Sequence, residues 1–335
     1  MKKILMIGLA AAAMLTSCSN DENVEMPAQK NAIAFNTFVN KSTRATDIDN
    51  SNISNFSVYG FIENAGGVIF NNEAVTGSGT GASSNWTYAN TQYWTPSKNY
   101  YFTAIAPTTD AAWTFAPLTG SATGQGGTIS FTNAGTQDLL YAYKSVTSPA
   151  TITATDPAKV GFEFNHLLSR VKFNFANAMG NENTTLKITS VKITDANTKA
   201  SIDVADFNMA SSAWTLADDN AMTAFNFGAI ADAIAKDGNA DTDHMYLIPQ
   251  NQKYTMEFVV EVYAGDVLVA TYSHTGEKAV EIPAVDMKLG HSYVFKAELN
   301  YKNINPDEEL YPIVFNVETV NDWEDWENSD VTIGE

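Results

Sequence analysis

A single cysteine, Cys18, in a chain of 335 residues excludes an internal disulfide, so stability must come from a packed core. Arginine is almost as scarce, with Arg44 and Arg170 the only two. Basic residues number 19 against 38 acidic, a net charge of −19, and no basic cluster occurs, which makes nucleic acid and anionic lipid poor partners. The four histidines, His166, His244, His274 and His291, are scattered, with no His-x-x-x-His or His-Glu-x-x-His spacing for zinc. There is no Gly-x-Ser-x-Gly elbow, and the Gly-rich loops lack the Gly-Lys-Ser/Thr ending of a phosphate cradle. Helical periodicity is confined to residues 228–236, where Ile230, Ala231 and Ile234 precede Gly238. These absences point away from an enzyme and leave no expected cofactor or metal.

What remains is 44% hydrophobic and 11% aromatic, enough for a large core. Residues 1–18 read as an export signal. Lys2 and Lys3 precede an uncharged run, Ile4 to Leu15, too short to span a bilayer. The run closes on Leu15-Thr16-Ser17-Cys18, which resembles a bacterial lipobox, so Cys18 is the expected lipidation site and the outer membrane an expected partner through the lipid anchor. Residues 19–30 then form a polar tether, whose Ser19-Asn20-Asp21-Glu22-Asn23 looks like a surface-export tag.

Beyond the tether, short β-branched and aromatic runs recur between Gly, Asn, Asp, Ser and Pro. They fall at 32–39, 55–62, 68–70, 86–95, 100–106, 128–132 and 139–145, then at 161–175, 186–194, 200–204, 245–248, 255–263, 267–273, 291–299 and 312–320. This spacing predicts an all-β protein of sandwich type. A Ser/Thr/Ala stretch between Pro149 and Pro157 predicts a break, with one β-sandwich in 31–150 and a second in 158–335.

Several segments resemble the fimbrillins, subunits of Bacteroidales type V pili. Phe164-Asn165-His166-Leu167-Leu168-Ser169-Arg170-Val171-Lys172-Phe173 is similar to their F-x-H-x-L-S-K/R-V/L-x-F signature, and Asp138-Leu139-Leu140-Tyr141-Ala142 to their D-L-L-V/Y-A strand. Tyr93-Trp94-Thr95-Pro96 with Tyr100–Ala104, residues 287–295, and Val320-Asn321-Asp322-Trp323 match further blocks in the family's order. The resemblance implies two transthyretin-like Greek-key β-sandwich domains in tandem and export as a lipoprotein to the cell surface. It further implies trimming by an arginine-specific surface protease and polymerisation with other fimbrial subunits by strand exchange, with a host or bacterial surface ligand as a possible further partner.

The residues allow that mechanism to be laid out physically. Arg44 lies in the polar stretch 41–47 between two predicted strands, whereas Arg170 lies inside one. The expected cut therefore falls between Arg44 and Ala45. It would release the strand carrying Ile33, Phe35 and Val39 and open an apolar groove with unpaired backbone edges. Ile313-Val314-Phe315-Asn316 echoes Ile33-Ala34-Phe35-Asn36, which makes Ile313, Phe315 and Val317, in the possible donor strand 312–320, the candidate filler. On this reading, replacing Ile313 and Phe315 by Asp stops polymerisation and leaves the monomer folded. The same segment could instead fold into its own domain, giving a tip or anchor subunit. A surface glycan-binding lipoprotein of a polysaccharide-uptake system is the alternative class, with Trp323 and Trp326 as candidate stacking residues. The Asp237–Asp243 loop carries oxygen ligands at alternate positions, but Gly238 is misplaced for a calcium loop and the twelfth position is Ile248 instead of Glu.

Overall fold

The computed structural model describes residues 32–39, 48–63, 67–79, 81–108, 112–120, 123–308 and 311–320, and these form 21 strands with only short 3-10 turns. The expected lipidation site Cys18, the expected cleavage pair Arg44 and Ala45, and Trp323 and Trp326 lie outside the described residues. No helix among the described residues is long and apolar enough to cross a membrane.

The first sheet has seven strands. In spatial order they are β1 (Phe35–Val39), β9 (Val160–His166), β8 (Leu140–Thr147), β5 (Asn99–Ala106), β2 (Asn55–Ile62), β3 (Gly67–Ser78) and β4 (Asn85–Tyr88). Its strands alternate between two buried faces, which follows from the two-residue side-chain period. Phe56 and Val58 of β2 face one cluster with Phe35, Phe102 and Phe162, while Tyr59 and Phe61 face another. The first cluster is lined almost wholly by this one sheet, which curls on itself. Phe35 on one edge strand lies 5.5 Å from Tyr88 on the other, and Ala32 bridges to Tyr93.

A second sheet, β13 (Trp214–Leu216), β12 (Lys199–Asp203), β7 (Gly127–Thr132) and β6 (Trp113–Pro117), covers the opposite face. The third sheet orders β15 (Asn239–Asp241), β10 (Ser169–Asn177), β20 (Ser292–Leu299) and β21 (Phe315–Val320), with β16 (Met245–Leu247) also on β10. The fourth orders β14 (Met222–Gly228), β11 (Thr184–Asn197), β17 (Asn251–Ala264) and β18 (Val267–His274), with β19 (Val280–Asp286) on β17. The third and fourth sheets enclose one large cluster, from Val171 and Phe173 to Ile313 and Phe315.

The all-β expectation therefore holds, while the sheets do not divide at 147–157. β9 follows that stretch yet joins the first sheet between β1 and β8, and β12 pairs with β7 across it. Pro, Ser and Thr there mark the β8–β9 connection, and turn composition looks alike inside and between domains. The expected helix at 228–236 is also overturned. Ile230 and Ile234 donate backbone N–H groups to Ile188 and Leu186, so this stretch is extended and pinned along β11. Both isoleucines are buried as an edge segment, and that packing overrides local periodicity. The run 161–175 splits into β9 and β10, because Leu167 and Leu168 turn the chain into the cluster under the second sheet.

Candidate functional site

β1 occupies the edge where the expected release would act. Its burial alternates, with Phe35 and Val39 under 2% exposed and Asn36 and Phe38 outside, and Ile33 is buried just ahead of it. Among the described residues one full ladder holds it, a parallel pairing with β9 running from Phe35–Val160 to Val39–Phe164. Its leading end is tied by the Ile33 N–H to the Gln92 carbonyl at 2.8 Å, and the Tyr88 hydroxyl donates to the Ile33 carbonyl at 2.6 Å. At its far end Val39 N–H donates to Asn50 Oδ1 at 2.7 Å while Asn50 Nδ2 returns a bond to the Val39 carbonyl at 2.8 Å.

Asn50 is fixed in turn by the Asp49–Asn52 turn and by the Ala82 N–H on its own carbonyl. Gly81 permits that approach. It has φ of 52°, and a Cβ there would lie 2.1 Å from the Asn50 carbonyl oxygen.

The Phe35 ring is the centre of the socket. Phe56, Phe70, Tyr88, Phe102 and Phe162 all lie between 5.5 and 6.4 Å from it. Burying three side chains of this size stabilises by roughly 5–9 kcal/mol, about 1.5–3 each. That is comparable with a domain's whole net stability of about 5–15 kcal/mol. An emptied socket would therefore have to be refilled.

β21 is the other edge of interest. It runs antiparallel to β20, from Ala297–Phe315 to Ser292–Val320. Ile313 and Phe315 are buried, Val317 is half-buried, and Val314 and Asn316 point outward. The alternation thus matches that of Ile33 and Phe35. Phe315 packs edge-on against Phe173 and Phe175. The segment is seated in its own core, so the double Asp substitution would cost the monomer as well, contrary to the expectation from sequence.

Other sequence candidates settle into structural roles. Arg170 is fully buried in β10, where its Nε donates to Ser292 Oγ at 3.0 Å. His166 Nδ1 lies 2.7 Å from Asp138 Oδ2, both buried, which joins two of the family-like motifs across 28 residues. Each residue is visible in the sequence, but their pairing carries no local signal. His274 stacks on Phe258 and reaches the Ile304 carbonyl. Asp241 is committed to Lys172 and Asn174 through the β10–β15 pairing, which leaves the 237–243 loop unsuited to calcium. Among the described residues no cluster of metal-ligating side chains occurs.

The same Ile-x-Phe pattern thus leads into two edge strands of an all-β framework. The chain belongs to the fimbrillin-like family, whose sequence profile matches residues 43–323. Its fold is similar to that of a fimbrial protein from Bacteroides vulgatus, at 17% identity over 88% of this chain and 100% of that one, with a TM-score of 0.57. A candidate cell adhesion protein from Bacteroides uniformis matches at 16% identity over 88% and 98%, with a TM-score of 0.47. A candidate polysaccharide binding protein from Bacteroides thetaiotaomicron matches at 14% over 86% and 98%, with a TM-score of 0.45. No curated protein matches the sequence. Family membership makes this a fimbrial, cell-surface protein.

Proposed function

We propose that the protein is a structural and adhesive pilus subunit, lipidated at Cys18, delivered to the outer membrane, cleaved between Arg44 and Ala45, and polymerised by donor-strand exchange. The observation that carries this reading is the state of β1. Among the described residues it is an edge strand on a single ladder, its socket is too large to leave empty, and the Ile-x-Phe pattern that leads into it also leads into β21. Release of β1 would expose the β9 edge and the aromatic socket, and the segment 312–320 of a neighbouring subunit supplies matching side chains.

A second reading is a tip or anchor subunit that does not donate. It is favoured by the seating of Ile313 and Phe315 in their own core.

N-terminal sequencing and intact mass of protein sheared from the cell surface, run unheated beside a boiled sample, separate the two. An N-terminus at Ala45 with a high-mass ladder supports donor-strand polymerisation. An acylated Cys18 on a monomer overturns it in favour of the anchored subunit.

A further inference from the structure

On the opposite side of β2 from the Phe35 socket lies a cavity of about 300 Å³ that strand exchange does not use. It opens between the outer face of β2 and the edge strand β6. Side chains of β2 alternate, so Ser57 and Tyr59 face this cavity while Phe56 and Val58 face β1.

Tyr59 is the central group. It is only 6% exposed, it lines the cavity, and its hydroxyl bonds to no group among the described residues. The hydroxyl is not among the fully buried polar atoms that lack a partner, so it is open to the cavity. Burial pushes its pKa up, so the hydroxyl is neutral and serves as a donor.

Opposite Tyr59 the ladder breaks. Val58 pairs with Glu73 and Gly60 with Phe70, so two residues of β3 face the one tyrosine. One of the two, Asn72, takes φ of 55°, a left-handed conformation that costs a non-glycine residue energy, and it lines the cavity. Bulges of this kind re-aim side chains beside functional sites.

The remaining wall is a platform. Trp113 is half-buried and its indole N–H is already given to the Pro107 carbonyl at 2.9 Å, so the ring offers only its apolar surface. Ser57 Oγ and Thr108 Oγ1, 2.6 Å apart, add a hydroxyl pair. No charged side chain lines the cavity among the described residues.

The exposed part of an indole beside neutral hydroxyls and an amide, with no charge among the described lining residues, suits a polyol ring: apolar ring face on tryptophan, hydroxyls on the polar rim. A cation cage fits less well, because Tyr59 and Phe115 pack directly on each other at 4.8 Å and leave no gap between their faces. We propose that this cavity is a binding subsite for one ring of a neutral carbohydrate, read by the Tyr59 hydroxyl and stacked on Trp113. The proposal goes beyond the assembly reading and does not rest on it, since the cavity lies on the face of β2 away from the Phe35 socket.

The test is saturation-transfer NMR and tryptophan-fluorescence titration of the full chain with D-glucose, D-galactose, D-mannose and N-acetyl-D-glucosamine. At least one sugar is expected to bind saturably. Tyr59→Phe keeps the ring packing on Phe115 and should weaken that Kd about 3- to 10-fold, the worth of one neutral hydrogen bond. Trp113→Leu should abolish it, and Tyr59→Phe decides alone if the tryptophan variant misfolds. No saturable binding by any of the four overturns the proposal. So does a Kd unchanged in Tyr59→Phe, or saturation by tetramethylammonium with the sugars silent.

Discussion

β1 and β21 carry the same Ile-x-Phe pattern on two sheet edges, yet they are held by different means. Phe35 sits among five aromatic rings contributed by five other strands of a curled sheet, whereas Phe315 meets two rings on β10, one strand beyond its partner β20. β1 has a side-chain clamp at one end from Asn50 and a tether at the other from Gln92 and Tyr88. For β21 the corresponding side-chain tie is an ion pair between Lys296 and Glu318, with Lys296 nearly half exposed. An edge strand is removable in proportion to how much of its grip is ladder and how much is socket. By that measure β1 is the keystone of its sheet and β21 a cover on an otherwise complete core.

The sharpest way to break this comparison is truncation of the two phenylalanines. Phe35→Ala should cost about 4–5 kcal/mol, near the top of the range for buried aromatics, because a hole ringed by five aromatic side chains cannot collapse. Phe315→Ala should cost about 3 kcal/mol, since an edge strand can settle onto the sheet beneath. Chemical denaturation of both variants checks the order. A larger loss from Phe315→Ala would reverse the assignment of keystone and cover.

Much of this was legible in the sequence, and the rest failed for identifiable reasons. Period-two alternation placed β2 at 55–62 to the residue and both edge strands to within three residues, because a buried face imposes hydrophobic spacing. Weakly patterned strands such as β6, β13 and β15 were invisible, for each is short and borrows its apolar cover from other sheets. The Pro149–Pro157 stretch read as a boundary because a tight connection within a sheet and a linker use the same residues. The Tyr59 cavity left no trace. Its aromatic and hydroxyl groups come from β2, β6 and the stretch just after β5, and the bulge opposite Tyr59 brings Asn72 of β3 to them.

Smaller changes test the end ties. Asn50→Ala removes both bonds to Val39 and should cost about 1–2 kcal/mol, read by denaturation. Glu73 acts one step further out, accepting from Ala89 N–H, Asn90 N–H and Asn90 Nδ2 and so shaping the turn that leads to Gln92. Burial opposes its ionisation, but the bonds from Asn90 and Ala89 outweigh it and hold the carboxyl below the ordinary glutamate value. A depressed folded pKa gives stability that is present above the unfolded value, about 4.3, and lost as pH falls through the folded one. Glu73→Gln should therefore flatten the acid limb of a stability–pH curve by about 1 kcal/mol or less. An unchanged acid limb would remove Glu73 from the account of the β1 edge.

The Lys296–Glu318 pair should matter least in energy and most for deciding whether the two edges are independent. It is partly exposed, so Lys296→Met should cost only about 0.2–1 kcal/mol and less at high salt. Hydrogen exchange resolves an effect of that size strand by strand. Amides of β21 that pair with β20 should exchange roughly 2- to 5-fold faster, following the lowered cost of local opening, while those of β1 stay unchanged. The expectation of no change at β1 follows from the separate cores: Phe35 belongs to the cluster inside the first sheet and Phe315 to the cluster between the third and fourth. If β1 amides accelerate as well, the two clusters open together and the two edges are not independent.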